Sequence, residues 1–277
     1  MKKILFGSVM VLSLSAVFVG CKKSVVTTTE VSGVTDEERL LVQAAGFNGN
    51  WVDKTEDGLL IEGDILLSKT ELQAMAGKGS SHELIIGNEE HYRTTNVVST
   101  GGGVRTITVR LSSGFPAYFS TGLDQALARY NSYNLNIKFQ RVTSGGNIVI
   151  TGKKLGTTGG GCILGQSAGF PTASGNPASG FTLSTSSCAT AYINTADKAD
   201  EVIAHEMGHC IGFRHTDYMT RASCGQNSNE GTAGVGAILI PGTPSTVAGN
   251  YNSWMMACTN GSPSFGSADV TALQYVY

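Results

Sequence analysis

The sequence predicts an α+β domain in which helices lie against a mixed, twisted sheet. Three observations carry that expectation. RTITVRL at 105–111 and LNIKFQRV at 135–142 alternate apolar and polar residues, the two-residue period of a strand with one buried face. STGLDQALARYNSY between them sets Leu123, Ala126, Leu127 and Tyr130 at helical spacing. Beyond a glycine-rich stretch, ADKADEVIAHEMGHCIG reads as a longer helix and SADVTALQYVY as a terminal one, so strands and helices interleave along the chain.

The remaining elements follow in order. TDEERLLVQAAG opens with Thr35 and Glu38 in capping-box spacing and stops at Gly46, and SKTELQAMAG repeats the device with Ser68 and Glu71. GLLIEGDILLS between these two helices is extended. Residues 35–98 therefore form a small N-terminal pro- or accessory segment, richer in charge than the main region over 99–277. In that main region NIVIT, FTLS at 181–184 and AYIN at 191–194 read as short strands. Asp197 is the expected N-cap of the long helix, with Asp200 and Glu201 suiting its positive end. Gly212 is its expected left-handed stop, and Ser267 the expected cap of the last helix. Residues 221–252 are a long loop rich in glycine and serine.

A formal charge of −2 leaves no basic footprint for nucleic acid. The start, MKK followed by the apolar run ILFGSVMVLSLSAVFVG, has the layout of a signal peptide over 1–20 and is short for a membrane-spanning helix. VFVGCKK resembles the lipobox of bacterial lipoproteins, in which the cysteine becomes the lipidated first residue. Cys21 is then the lipidation site and 21–34 a tether. The expected location is the periplasmic face of the outer membrane or the cell surface, with plain secretion the alternative if the lipobox, loosely matched at Phe18, is not used. Export permits disulfides. Of six cysteines, five remain once Cys21 carries lipid, so one thiol stays free. Cys210, on the predicted helix, is the expected free one. Order along the chain suggests Cys162 with Cys188 and Cys224 with Cys258.

The chemistry is concentrated in HEMGHCIGFRHTD, which holds three of the five histidines. On a helix His205 and His209, four residues apart, stack on one face. Glu206 is turned by about 100° from His205, better placed to reach a water than to share an ion. Gly212 ends the helix and lets His215 swing back towards the other two. Three imidazoles holding zinc leave its fourth position open, as catalysis requires. By this chain's own residue frequencies the full HExxHxxGxxH pattern would arise by accident with a chance on the order of 10⁻⁵. Zinc-activated water, with Glu206 as general base, is the implied chemistry. No Gly-x-Ser-x-Gly elbow is present, and Cys210 points away from His209. His82 and His91 read as solvated or hydrogen-bonded residues of the N-terminal segment.

HEMGHCIGFRH resembles the extended zinc motif of the metzincin metalloproteases, and NSWMMA at 252–257 resembles their methionine turn, with Met255 the better candidate than Met256. The tail FGSADVTALQYVY is similar to the last helix of matrixin-type domains, with Asp269 in place of one of their two acidic residues and Ala268 in place of the other. More closely still, the core, together with LIEGDILLS, EEHYRTTNVVS and GQSAGFPTASGNP, resembles the bacterial dual-action HEIGH metallopeptidases. That resemblance implies a metzincin fold, one catalytic zinc, and peptide-bond hydrolysis of a protein or peptide substrate; a monomer is expected. By analogy the strand around Phe181–Ser184 would pair with extended substrate, and Phe213 and Trp254 would shape the pocket. Such folds can also take calcium, but no acidic loop here has convincing ligand spacing for it.

Residues 35–98 contain no cysteine, so a thiol cannot block the zinc from within them. Asp64 is the carboxylate candidate for that task, against the plainer reading of a solvated or capping aspartate. The competing function is a surface adhesion or binding module on the same scaffold with weak catalysis; an intact Glu206 argues against it.

Overall fold

A computed structural model describes residues 33–77, 91–158, 161–232, 234–244, 251–259, 261 and 264–277. The expectations for the signal peptide, Cys21, the tether and His82 lie outside the described residues. Among the described residues no helix is long and apolar enough to cross a membrane.

The chain opens with α1 (Asp36–Ala44), β1 (Val52–Lys54), β2 (Leu59–Ile61), β3 (Ile65–Leu67), α2 (Lys69–Ala76) and β4 (Tyr92–Arg93). It continues with β5 (Arg105–Leu111), α3 (Ala117–Asn131), β6 (Ile137–Arg141), β7 (Ile148–Lys153), β8 (Thr157–Thr158), β9 (Gly161–Cys162), β10 (Gly165–Ser167) and β11 (Gly180–Ser184). Then come α4 (Ser187–Tyr192), α5 (Ala196–Ile211), a 3-10 turn at Ala222–Cys224, β12 (Ile238–Leu239) and α6 (Ser267–Val276). Both N-terminal capping boxes form, with Glu38 and Glu71 reciprocating Thr35 and Ser68.

Eight strands make one mixed sheet in the order β1-β2-β3-β10-β11-β7-β5-β6. β6, β5, β7 and β11 run parallel, β10 is antiparallel to β11, and β3 joins β10 in parallel register at Ile65 and Ser167. Ile107, Val109, Ile137, Ile148 and Ile150 on one face of the sheet pack with Leu123, Ala126 and Tyr130 of α3 and with Ala199, Ile203 and Met207 of α5. The N-terminal residues build a small core of their own, in which Val42, Phe47, Leu59, Ile65 and Leu72 meet Phe170 of the main region. α3 thus packs along α5, which lies beside β10 and β11.

Several local expectations are corrected. AYIN is not a strand. The Ser186 hydroxyl accepts from Ala189 N–H and starts α4, which runs through Tyr192, so Ile193 ends a helix. Four alternating residues are too few to compete with a capped turn. Thr195, not Asp197, caps α5, and Asp197 instead sits in its first turn. Gly266 precedes α6, whose first residue is Ser267; the Asp269 carboxylate reaches back to Gly266 N–H. The 221–252 loop carries the 3-10 turn and β12, which pairs with β4. Cys162–Cys188 and Cys224–Cys258 are bonded, and Cys210 is free and buried.

Candidate functional site

α5 ends at Gly212, whose φ of 109° is left-handed and whose N–H bonds back to Gly208 and His209 carbonyls. A side chain there would be strained and would press on Thr94 and Asn96. This reversal brings His215 beside the last two turns of α5. The ring centroids of His205, His209 and His215 lie 4.8, 4.9 and 5.4 Å apart.

Each Nδ1 faces an acceptor. His205 meets the Trp254 carbonyl at 2.8 Å, His209 the Phe213 carbonyl at 2.8 Å, and His215 the Glu230 carboxylate at 2.6 Å. Carbonyl and carboxylate oxygens only accept, so each Nδ1 carries a proton, and each Nε2 is the atom left to bind a metal, which at His215 would displace the proton it shares with Asp64. The three Nε2 atoms face a common point, and Asp64 Oδ2 stands at a fourth corner around it, 3.2, 3.4 and 2.7 Å from those of His205, His209 and His215. All four ligand atoms lie within 4.8 Å of one another. Four such ligand atoms gathered round one point could hold a cation, and three imidazoles with one carboxylate suit zinc.

Burial pulls the His209 imidazole down to about 4, so that ring is neutral near pH 7. Burial would also lower His215, but the carboxylates of Asp64 and Glu230 on either side outweigh it and raise it well above the ordinary range. Burial works against ionisation of Asp64, yet His215 and His209 hold its carboxyl well below the usual value. For Glu230 the same opposition, with His215 and Arg221 prevailing, leaves about 2.

Glu206 is buried beside this cluster, and its Oε2 has no hydrogen-bond partner. Burial first, and the Asp64 charge second, raise its carboxyl well above the ordinary range. Its Oε1 rests against the bare backbone of Gly165 in β10, where a Cβ would stand only 2.2 Å away. A cavity of about 480 Å³ opens here, lined by Asp64, Gly165, His205, Glu206, Arg221 and Trp254 among others.

The methionine expected beneath the histidines is Met255. It is buried, and its sulfur lies against Gly208 of α5, 2.3 Å from where a Cβ would sit. Its carbonyl accepts from Thr216 N–H at 2.6 Å, so the turn is tied to the residue after His215. Met256 lines the cavity instead. Asp269 braces the same turn by accepting from Trp254 N–H at 3.3 Å and from His91 Nε2 at 2.7 Å, so His91 is a buried partner of Asp269 rather than a solvated residue.

Two expectations fail. Phe213 is a core residue, packed on the rings of Trp254 and Tyr277, and does not line the cavity. Its backbone carbonyl holds His209, which turns its side chain inward. The strand Phe181–Ser184 is interior, paired on both sides with β10 and β7, and has no free edge for substrate. β10 is the strand beside Glu206, and β3 of the N-terminal segment lies on its edge. Glu230, Arg214, Arg221 and Glu62 form a buried ionic cluster behind His215 that no spacing in the sequence announces. Within it Arg214 Nη2 meets Glu62 Oε1 at 2.6 Å, while burial pushes the Glu62 carboxyl upward against the pull of Arg214.

The sequence model of the dual-action HEIGH metallo-peptidases matches residues 59–277. The chain belongs to that family. Among solved structures it is similar to myroilysin, at 22% identity over 45% of this chain and 54% of that one, with a TM-score of 0.31. It is also similar to high choriolytic enzyme 1, a hatching enzyme zinc-protease from the medaka fish Oryzias latipes, at 15% identity over 66% of this chain and 97% of that one, with a TM-score of 0.38. The chain thus spans about half the length of myroilysin, and the assignment rests on the family match and the site rather than on these superpositions. No curated protein matches the sequence.

Gly165→Ala should displace the Glu206 carboxylate while leaving the imidazoles in place. The expected result is unchanged metal content with peptide hydrolysis lowered by about 10²-fold, read by metal analysis and a fluorogenic peptide assay.

Proposed function

We propose that the chain is a zinc-dependent endopeptidase held latent by its own N-terminal segment, exported and lipid-anchored through Cys21. The observation that carries the peptidase reading is the convergence of three imidazole Nε2 atoms beside a buried Glu206 whose Oε2 has no hydrogen-bond partner. His205, His209 and His215 would hold the zinc. A zinc ion bound there supplies Lewis-acid polarisation of the scissile carbonyl and a water acidified to a pKa of about 7. With Asp64 withdrawn, its charge no longer opposes ionisation of Glu206, and one oxygen of the Glu206 carboxylate would take the proton of the attacking water and pass it to the leaving amine. Trp254 walls the cleft, and Met255, under Gly208, fixes the floor on which the histidines stand. The disulfide Cys224–Cys258 closes the rim beside Arg221.

Latency follows from Asp64. Its Oδ2 stands at the fourth corner of the cluster, beside the three Nε2 atoms, which is the place a substrate oxygen or the attacking water would need. β3 meanwhile covers the edge of β10 next to Glu206. A carboxylate in that position is a fourth ligand, and a closed four-ligand shell is a structural rather than a catalytic one. His91 and β4 are bound on the other side, to Asp269 and β12, so they stay with the catalytic body when the earlier residues leave. The support for export and anchoring is the sequence of residues 1–21.

Three outcomes test these readings. Casein hydrolysis should stop with a chelator, return with zinc, and fall by about 10²–10⁴-fold in Glu206→Ala at full metal content; native protein that binds zinc and cleaves nothing after its N-terminal segment is removed would favour a binding module. Asp64→Ala in the full chain should raise activity at least about tenfold with zinc content unchanged; equal activities would end the latency account, as would N-terminal sequencing that finds residues 35–98 retained in fully active enzyme. Cys21→Ser should move the protein from the membrane fraction to the soluble one, and an unchanged distribution would sink the anchor.

A further inference from the structure

The segment that blocks the cleft also fills a second position in it. Two residues before Asp64, the Glu62 side chain is buried, and its Oε1 accepts from Arg214 Nη2 at 2.6 Å. Glu62 holds a left-handed φ of 58°, and among the described residues the only other non-glycine with positive φ is Arg221, at 51°, in the same cluster. Strained backbone of this kind persists where the surroundings over-determine it. The Arg214 guanidinium is fully enclosed. It lies over the rings of Tyr218 at 4.9 Å and Phe170 at 5.7 Å, donates to the carbonyls of Gly231 and Gly236, and leaves its Nε without a partner. Arg221 donates to Glu230 and is covered by the ring of Trp51 at 5.4 Å.

Both covers, Glu62 and Trp51, belong to the N-terminal segment. While it is seated, two guanidiniums face two carboxylates, Glu62 and Glu230. When it leaves, they face Glu230 alone, whose Oε1 already accepts from His215 Nδ1 at 2.6 Å. An enclosed guanidinium stripped of its carboxylate is a costly state that an arriving carboxylate relieves, and the planar fork suits a carboxylate better than it suits an amide.

We propose that Arg214 and Arg221 form an acid-selective subsite of the opened cleft, so that the enzyme cleaves peptide bonds within two residues of a substrate Asp or Glu. The spacing is read from the segment itself, in which Glu62 occupies the socket while Asp64 occupies the histidine centre. The inference rests on the reading that the N-terminal segment vacates the cleft. It goes further in naming the substrate side chain that replaces Glu62.

The test uses the zinc-loaded full-length protein, incubated until its N-terminal segment is released. Cut sites in a proteome-derived peptide mixture are mapped by mass spectrometry, and the best sequence is resynthesised with Glu, Gln or Lys at the enriched position. The expected result is enrichment of Asp and Glu within two residues of the cut, and kcat/KM for the Glu peptide about tenfold or more above that of the Gln peptide. Arg214→Met should bring the Glu-to-Gln ratio close to one. Should that variant fail to fold, Arg221→Gln should lower the same ratio, a readout that damage to the metal site alone would not move. Cleavage without acidic preference, or a ratio unchanged in a folded variant, overturns the subsite and leaves the peptidase reading standing. No cleavage of any peptide by zinc-loaded protein overturns both.

Discussion

The site depends on where three imidazole protons are parked. Trp254 and Phe213 carbonyls and the Glu230 carboxylate each take an Nδ1–H, which orients every ring and turns three Nε2 atoms to one point. Each acceptor comes from a different part of the chain. Trp254 stands in the methionine turn, Phe213 just past the α5 stop, and Glu230 in the long loop. The helix supplies His205 and His209 at the right spacing, but their orientation is decided by carbonyls beyond it, that of the distant Trp254 and that of Phe213 just past its end. Asp269, Thr216 and Ser253 then hold the methionine turn, so the C-terminal helix takes part in aiming His205 although it lies far from it in sequence.

A second theme is charge buried in layers. Behind His215, Glu230 binds Arg221 and lies near Arg214, and Arg214 binds Glu62. Such a cluster is expensive to assemble away from water and is tolerable only when each charge finds its opposite. The N-terminal segment completes that balance with Glu62 and Asp64. Were that segment to depart, as proposed above, the same contacts would be left unbalanced and the opened cleft would be more positive. Latency and substrate preference are in this view two consequences of one set of ion pairs.

Much of this was legible locally. The spacing of His205, Glu206, His209 and His215, the helical stripe through Leu123 and Tyr130, and the capping boxes at Thr35 and Ser68 are short-range patterns, and the structure contains them. Met255 could be separated from Met256 only by resemblance, and the structure places its sulfur against Gly208. What escaped was long-range. Glu230 sits in a glycine-rich loop with no periodicity to mark it, and Arg214 looks like an ordinary basic residue beside a motif. Phe213 was expected at the pocket because it neighbours the histidines, but its carbonyl is what faces the site, so its ring must face the core. AYIN failed because a serine cap and a helical turn outcompete four alternating residues.

The most direct measurement is X-ray absorption at the zinc edge on the full-length protein, with metal content determined on the same sample. One zinc per chain, bound by three imidazole nitrogens and one carboxylate oxygen, is the result the account predicts. A zinc-free protein, or a spectrum with fewer than three imidazoles, would contradict it.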